Sequence, residues 1–325
     1  MVTPLADGRI LIATGLQGAY TVSETHVFLA APGGDNWGSA PSMQTSRIGF
    51  AVARLRDGKV LVAGGFGPVM HRTATAEVFD PASNRWSSTG NMVVGRVNFA
   101  AATLADGRLL AVGGRIPSGP IANAEIYDPA SGRWTAVPSM STPRERPTAT
   151  ALPDGRVLVT GGVIRDGAGL YATAAAEIYD PQTNAWVAAA PMRVARADHS
   201  ATLLASRKVL VAGNSGDDAT STELYDPVTN TWSAAARMPL DRRSHVAVRL
   251  KSGQVMVLGG LYGQAGFAGT ADIYDPIGDA WSTAGDMGGL HGEVRASVLQ
   301  DGRVLVVGLD WGAEIYDPNA SYSAP

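Results

Sequence analysis

Three consecutive stretches carry the side chains best suited to chemistry: Asp198 and His199, Arg243 and His245, and His291, Glu293 and Arg295. Glu145 and Arg146 add charge from the stretch before them. A neutral imidazole beside a carboxylate can ligate a metal or pass a proton. Guanidinium groups among them would instead neutralise an anionic ligand. A metal would use His199, His245 and the carboxylates, and an acidic sugar would use Arg243 or Arg295. Tyr171, Tyr262 and Trp311, with Phe267, Met70 and His71, add aromatic and polar loop residues able to stack on a sugar or anchor a protein.

The elements that must position these residues are read from a repeat. A turn tripeptide recurs at Asp7-Gly8-Arg9, Asp57-Gly58-Lys59, Asp106-Gly107-Arg108, Asp154-Gly155-Arg156, Ser206-Arg207-Lys208, Ser252-Gly253-Gln254 and Asp301-Gly302-Arg303, at spacings of 46 to 52 residues. An apolar run ending in Gly-Gly follows most of them (VLVAGG, VLVTGG, VMVLGG). Then come a variable stretch, a core such as AEIYDP, and a Trp: Trp37, Trp86, Trp134, Trp186, Trp232 and Trp281. Each unit reads as four strands. A small-residue strand enters the Asp-Gly hairpin, an apolar strand leaves it, the Glu-Ile-Tyr strand ends at an Asp-Pro turn, and a short strand opens at the Trp. No sustained 3.6-residue apolar period is present, so helices are not expected. Four antiparallel strands in about 50 residues make a β-propeller blade.

Gly-Gly after the second strand, Tyr-Asp-Pro after the third and Trp opening the fourth resemble the kelch repeat. The resemblance covers essentially the whole chain. It implies an all-β, kelch-type propeller of the galactose oxidase central-domain superfamily. Seven blades of four-stranded antiparallel sheets are expected, with six as the alternative. The repeat units fall at about 1–45, 46–95, 96–143, 144–195, 196–241, 242–290 and 291–325 in one domain, 1–325. The first and last are incomplete, and Tyr322 is expected to open a weak final strand.

Most recurring columns read as scaffold. Arg47, Arg96, Arg144, Arg196 and Arg242 align, with His291 in the sixth place. Opposite them run Glu77, Glu125, Glu177, Glu223, Asp272 and Glu314. Blade-to-blade ion pairs, or bonds from arginine to backbone carbonyls, are expected. Asp-Gly and Asp-Pro turns share one uniform side. The variable loops Phe66–Thr73, Arg115–Ile121, Val163–Ala172, Asn214–Ala219, Leu261–Gly269 and Leu309–Gly312 share the other, where ligand contacts are expected.

The 325 residues carry a net charge of −3, which disfavours a nucleic-acid binder working by phosphate neutralisation. Zero Cys excludes disulfides, thiolate metal sites and cysteine nucleophiles. The copper–radical chemistry of galactose oxidase needs a Tyr–Cys crosslink, so that part of the resemblance does not carry over. No Gly-x-Ser-x-Gly or His-Glu-x-x-His motif is present. No apolar run is long enough to span a membrane. A monomeric binding propeller without cofactor or metal is expected, recognising a protein or a carbohydrate through the variable-loop side. The alternative is a carbohydrate-active enzyme, an acidic-sugar epimerase or polysaccharide lyase, using His199, His245 and His291 as bases. The reading leans to a bacterial protein, secreted or periplasmic, whose signal sequence precedes Met1.

Overall fold

The computed structural model describes residues 2–13, 16–17, 20–21, 25–29, 36–68, 71–167, 169–214, 216, 218–262, 266–288, 294–308 and 312–318. Among these the chain is all-β, with no α-helix, and has the β-propeller fold. Six four-stranded antiparallel sheets follow one another. They run from Val2–Pro4 to Asn36–Ala40, Ala51–Arg54 to Arg85–Thr89, Ala100–Thr103 to Arg133–Val137, Thr148–Ala151 to Ala185–Ala189, Ser200–Leu203 to Thr231–Ala235, and Val246–Arg249 to Ala280–Asp286. A further sheet has three strands, Val294–Val298, Val304–Gly308 and Ala313–Tyr316. Four-stranded blades therefore number six among the described residues, the count given as the alternative to seven, and the first of them is complete. Tyr322 lies outside the described residues.

The chain groups into two compact units. One takes in the residues up to Val157 with Val163–Tyr171 and Ile178–Val187. The other takes in Leu158–Gly162, Ala172–Glu177 and the chain from Ala188 onward.

Local chemistry sets the strand ends. In the hairpin turns Gly58, Gly107 and Gly155 adopt φ of 86° to 93°, which costs a glycine little. The turn Asp accepts a bond from the backbone N–H two residues on, as Asp106 Oδ1 does from Arg108 (2.9 Å). The Asp-Pro turns repeat the device, with Asp80 Oδ1 accepting from Ala82 N–H (2.9 Å). Second strands such as Val60–Ala63 are buried at every residue, as expected where sheets cover both faces. Third and fourth strands pair Tyr127 with Trp134 and Tyr225 with Trp232. Their rings pack tilted at centroid distances of 5.2 and 4.9 Å. The indole Nε1 of Trp186, Trp232 and Trp281 donates to the carbonyls of Pro138, Ala190 and Ala236, each just past the last strand of the preceding sheet (2.7, 2.7 and 2.8 Å).

Candidate functional site

The column arginines are scaffold. Arg47, Arg96, Arg196 and Arg242 are fully buried. Arg196 Nη1 donates to the carbonyls of Gly213 (3.0 Å) and Ser221 (2.8 Å), and Nη2 to Ser221 Oγ (2.8 Å) and Glu223 Oε1 (2.9 Å). Arg47 binds Gly64 O, Thr75 O, Thr75 Oγ1 and Glu77 in the same way. Each of these arginines stands in the segment before a first strand and pairs with a carboxylate on the third strand of the same sheet, so the expected bonds to backbone carbonyls are present and the ion pair falls within a repeat rather than between blades. The arginine backbone makes the link to the preceding sheet instead. The second glycine of Gly-Gly donates to its carbonyl, as Gly65 N–H does to Arg96 O (2.8 Å) and Gly162 N–H to Arg196 O (2.8 Å).

Two residues beyond each arginine the chain turns left-handed, at Asn98 (φ 53°), Arg146 (53°), Asp198 (54°) and Ser244 (54°). That geometry aims the backbone N–H at the carbonyl of the equivalent residue one sheet earlier. Arg146 N–H donates to Asn98 O (2.7 Å), and Ser244 N–H to Asp198 O (2.8 Å). Arg146 and Asp198 thus each serve a backbone bond of this kind, Arg146 as an exposed donor and Asp198 as a half-buried acceptor.

The next residue in the column is Phe50, Phe99, Pro147, His199 or His245. The ring at this position packs on the first glycine of the preceding Gly-Gly. A Cβ on Gly64 would lie 2.8 Å from Phe99 Cε1, and one on Gly161 would lie 2.6 Å from His199 Cε1. His245 packs on Gly213 in the same manner. His199 Nε2 bonds Thr160 Oγ1 (3.1 Å), and His245 Nε2 bonds Ser200 Oγ (2.8 Å). Burial, reinforced by the charge of Arg196, pushes His199 down to about 3; burial and Arg242 push His245 down to about 3. Both imidazoles are neutral at pH 7 and too weakly basic to accept a proton readily there. The structure does bring the two together on successive sheets, as the sequence implies.

Glu145 is 3% exposed, and its Oε2 lies 3.5 Å from Arg115 Nε. Neither atom has a hydrogen bond among the described residues. Their backbones pair with Val163 and Val97. The pair occupies the place that Phe66 and Val97 fill with apolar side chains one repeat earlier. Arg243 pairs through its backbone with Leu261, and Arg295 Nη1 donates to Val294 O (2.8 Å). His291, Glu293 and Trp311 lie outside the described residues, as does the side chain of Tyr262, whose backbone pairs with Gly266. Among the described residues no three His, Asp or Glu side chains gather as a metal-ligand set.

On the variable-loop side, the loops of several sheets fold into two-stranded ribbons. Arg115–Ile116 pairs with Gly119–Pro120, Val163–Asp166 with Gly169–Ala172, and Leu261–Tyr262 with Gly266–Phe267. Arg165 Nη1 donates to Ser118 O (3.1 Å), bracing the first two against each other. Leu170 and Tyr171 are 48% and 42% exposed, and Phe267 51%. Tyr171 Oη donates to Asp166 Oδ2 (2.5 Å), a bond that raises the phenol's pKa.

The sequence matches the KLHDC2/KLHL20/DRC7 Kelch-repeats domain family over residues 49–260, more than half of the chain. The chain belongs to this kelch family. No curated protein sequence matches it. Among solved structures, the kelch chain resembles a fungal alcohol oxidase of the AA5 family in complex with copper, with a TM-score of 0.74, 17% identity, and coverage of 95% of this chain and 70% of that one. It also resembles YjhT, with a TM-score of 0.68, 14% identity, and coverage of 87% of this chain and 97% of that one. Both similarities concern the fold.

The kelch sheets carry a further feature that the repeat-by-repeat reading passed over because the turn side looked uniform. A cavity of about 340 Å³ opens there between the third and fourth sheets. It is lined by Leu104, Asp106, Arg108, Asp154, Arg156 and Asp180, among others. A second, of about 460 Å³, adjoins it and shares Arg108 and Pro181.

Proposed function

We propose that the protein is a recognition module that binds a protein ligand through the variable-loop side of its sheets, without catalysing a reaction. One observation carries this reading. The ribbon Val163–Ala172, braced by the Arg165–Ser118 bond, holds Leu170 and Tyr171 about half exposed on regular structure, so little ordering entropy opposes their burial by a partner. Membership of a kelch-repeat family is consistent with this, although a fold by itself assigns no activity. The groups best suited to acid–base work, His199 and His245, are neutral, packed on glycine and bonded to hydroxyls. That disposition suits a scaffold role and disfavours the carbohydrate-active alternative. The ligand class is tested by presenting the purified protein with a displayed peptide library and, separately, with a glycan array that includes uronate oligomers. Selective enrichment of peptides is expected. Binding to glycans with no peptide enriched would overturn the reading.

A further inference from the structure

The cavity between the third and fourth sheets lies where two side chains that close equivalent places are missing. The position before each turn Asp or Ser is Ala6, Arg56, Ala105, Pro153, Ala205, Lys251 or Gln300. Where that residue is long and basic, its side chain crosses to the next sheet. Arg56 Cδ would lie 2.5 Å from a Cβ on Gly107, and its Nη2 donates to Ala105 O. Lys251 Cδ would lie 3.5 Å from a Cβ on Gly302, and its Nζ donates to Gln300 O. In both cases a cation fills the space above the next turn glycine and bonds the carbonyl beside it.

Ala105 cannot do this. Over the corresponding Gly155 only its Cβ comes near, at 3.6 Å from a Cβ built on that glycine, and the cavity of about 340 Å³ occupies the remaining space. A second route to closure is also missing. Between the first and second sheets, where Ala6 stands, Arg9 Nη2 instead reaches Pro81 O (2.9 Å). Arg108, the equivalent of Arg9, bonds Asp106 (2.7 Å) and, among the described residues, makes no bond to Pro181 O.

The turn acids favour a cation at this place as well. Around the turn of the third sheet stand Asp57, Asp106 and Asp128 against Lys59 and Arg108, and Arg56 completes the balance. The open cavity is lined by Asp106, Asp154 and Asp180 with Arg108 and Arg156, an excess of one acid that the place at Ala6 shares with Asp7, Asp57 and Asp80 against Arg9 and Lys59. Two of these acids are held below the ordinary carboxylate range. For Asp106 and Asp154, burial raises the pKa but bonds from Arg108 and Arg156 outweigh it, and the charge of Arg56 also lowers Asp106. After Ala205 the turn residues are Ser206 and Ser252, so two of the three acids are absent there and Lys208 matches the remaining Asp275.

We propose that this cavity is a docking site for a basic side chain, arginine or lysine, presented by a partner protein. It takes from outside the cation that Arg56 and Lys251 supply from within the chain at the equivalent places. This site lies on the turn side of the first compact unit and is independent of the ribbon surface proposed above.

The test is a titration of the whole protein with acetyl-Gly-Arg-Gly-amide, followed by backbone amide NMR, with the citrulline peptide as the uncharged control. Saturable shifts at Gly155 and at Asp180–Gln182 are expected, with the citrulline peptide at least tenfold weaker. Ala105→Arg fills the cavity from within and is expected to weaken peptide binding at least tenfold while leaving the melting temperature equal or higher. Arg56→Ala empties the equivalent place and is expected to add a second set of shifts at Gly107. If Ala105→Arg fails to fold, the Arg56→Ala arm decides. No saturable shifts at these residues, equal affinity for the two peptides, unchanged binding by folded Ala105→Arg, or no new shifts in Arg56→Ala would each overturn the proposal.

Discussion

The imidazole of His199 stands on Gly161. A Cβ there would come within 2.6 Å of its Cε1 and 2.5 Å of the Arg196 carbonyl, and the glycine itself has φ of 59°. Gly161→Ala must therefore displace a ring and a backbone at once, in a conformation that disfavours a side chain. A loss of about 2 kcal/mol or more is expected from urea unfolding, well above the roughly 1 kcal/mol typical of a point mutant. Gly167, with nothing within 4 Å and no positive φ, serves as the control and should change stability little on substitution by Ala.

The same packing sets a pH dependence. Burial holds His199 and His245 down to about 3, against about 6.5 in an unfolded chain. The unfolded state then binds more protons between these values, so stability is complete above about pH 6.5 and falls as pH drops toward 3. For His199 the slope approaches about 1.4 kcal/mol per pH unit across that window. Melting temperatures from pH 7 to 4 should fall in the wild type and fall less in a His199→Phe/His245→Phe variant, which borrows the ring found at Phe99. An identical pH slope in both would show that these histidines titrate alike in the folded and unfolded chain.

Arg196→Ala leaves Glu223, only 2% exposed, without its guanidinium partner, and leaves the Gly213 and Ser221 carbonyls without their donor. Breaking a buried pair from one side costs on the order of 3–5 kcal/mol. Chemical denaturation should show that loss, with ligand affinity unchanged in the fraction that stays folded. A stable variant with lost affinity would place the arginine in the binding surface.

Architecture was legible in the sequence wherever a column repeated. Asp-Gly, Gly-Gly, Tyr-Asp-Pro and Trp each mark a strand end or a packing pair, and the sheets begin and end where those residues stand. The scaffold role of the arginines was legible too, from the facing carboxylates, although the choice of a partner within the repeat required the geometry. The histidines were harder. Their column holds Phe50, Phe99 and Pro147 elsewhere, so His199 and His245 look like departures that do chemistry until the glycine beneath each ring is located. Left-handed backbone at Arg146 and Asp198 gave no sequence signal except Gly49 and Asn98 in the same column. The turn-side cavity did leave a trace, Ala105 where Arg56 and Lys251 stand in other units. It carries no charge itself, and a search for chemical side chains passes over an alanine.

Recognition by the ribbon residues, with the histidines as scaffold, is tested most directly by titrating a selected peptide ligand against two variants in parallel. Leu170→Ser/Tyr171→Ser removes the exposed apolar pair from a braced ribbon and should weaken binding at least tenfold without lowering the melting temperature. His199→Phe/His245→Phe should bind within about twofold of wild type, since rings of that kind already fill the column at Phe50 and Phe99. The reverse outcome, with binding lost in the histidine variant and kept in the ribbon variant, would contradict the account and return the site to the imidazole pair.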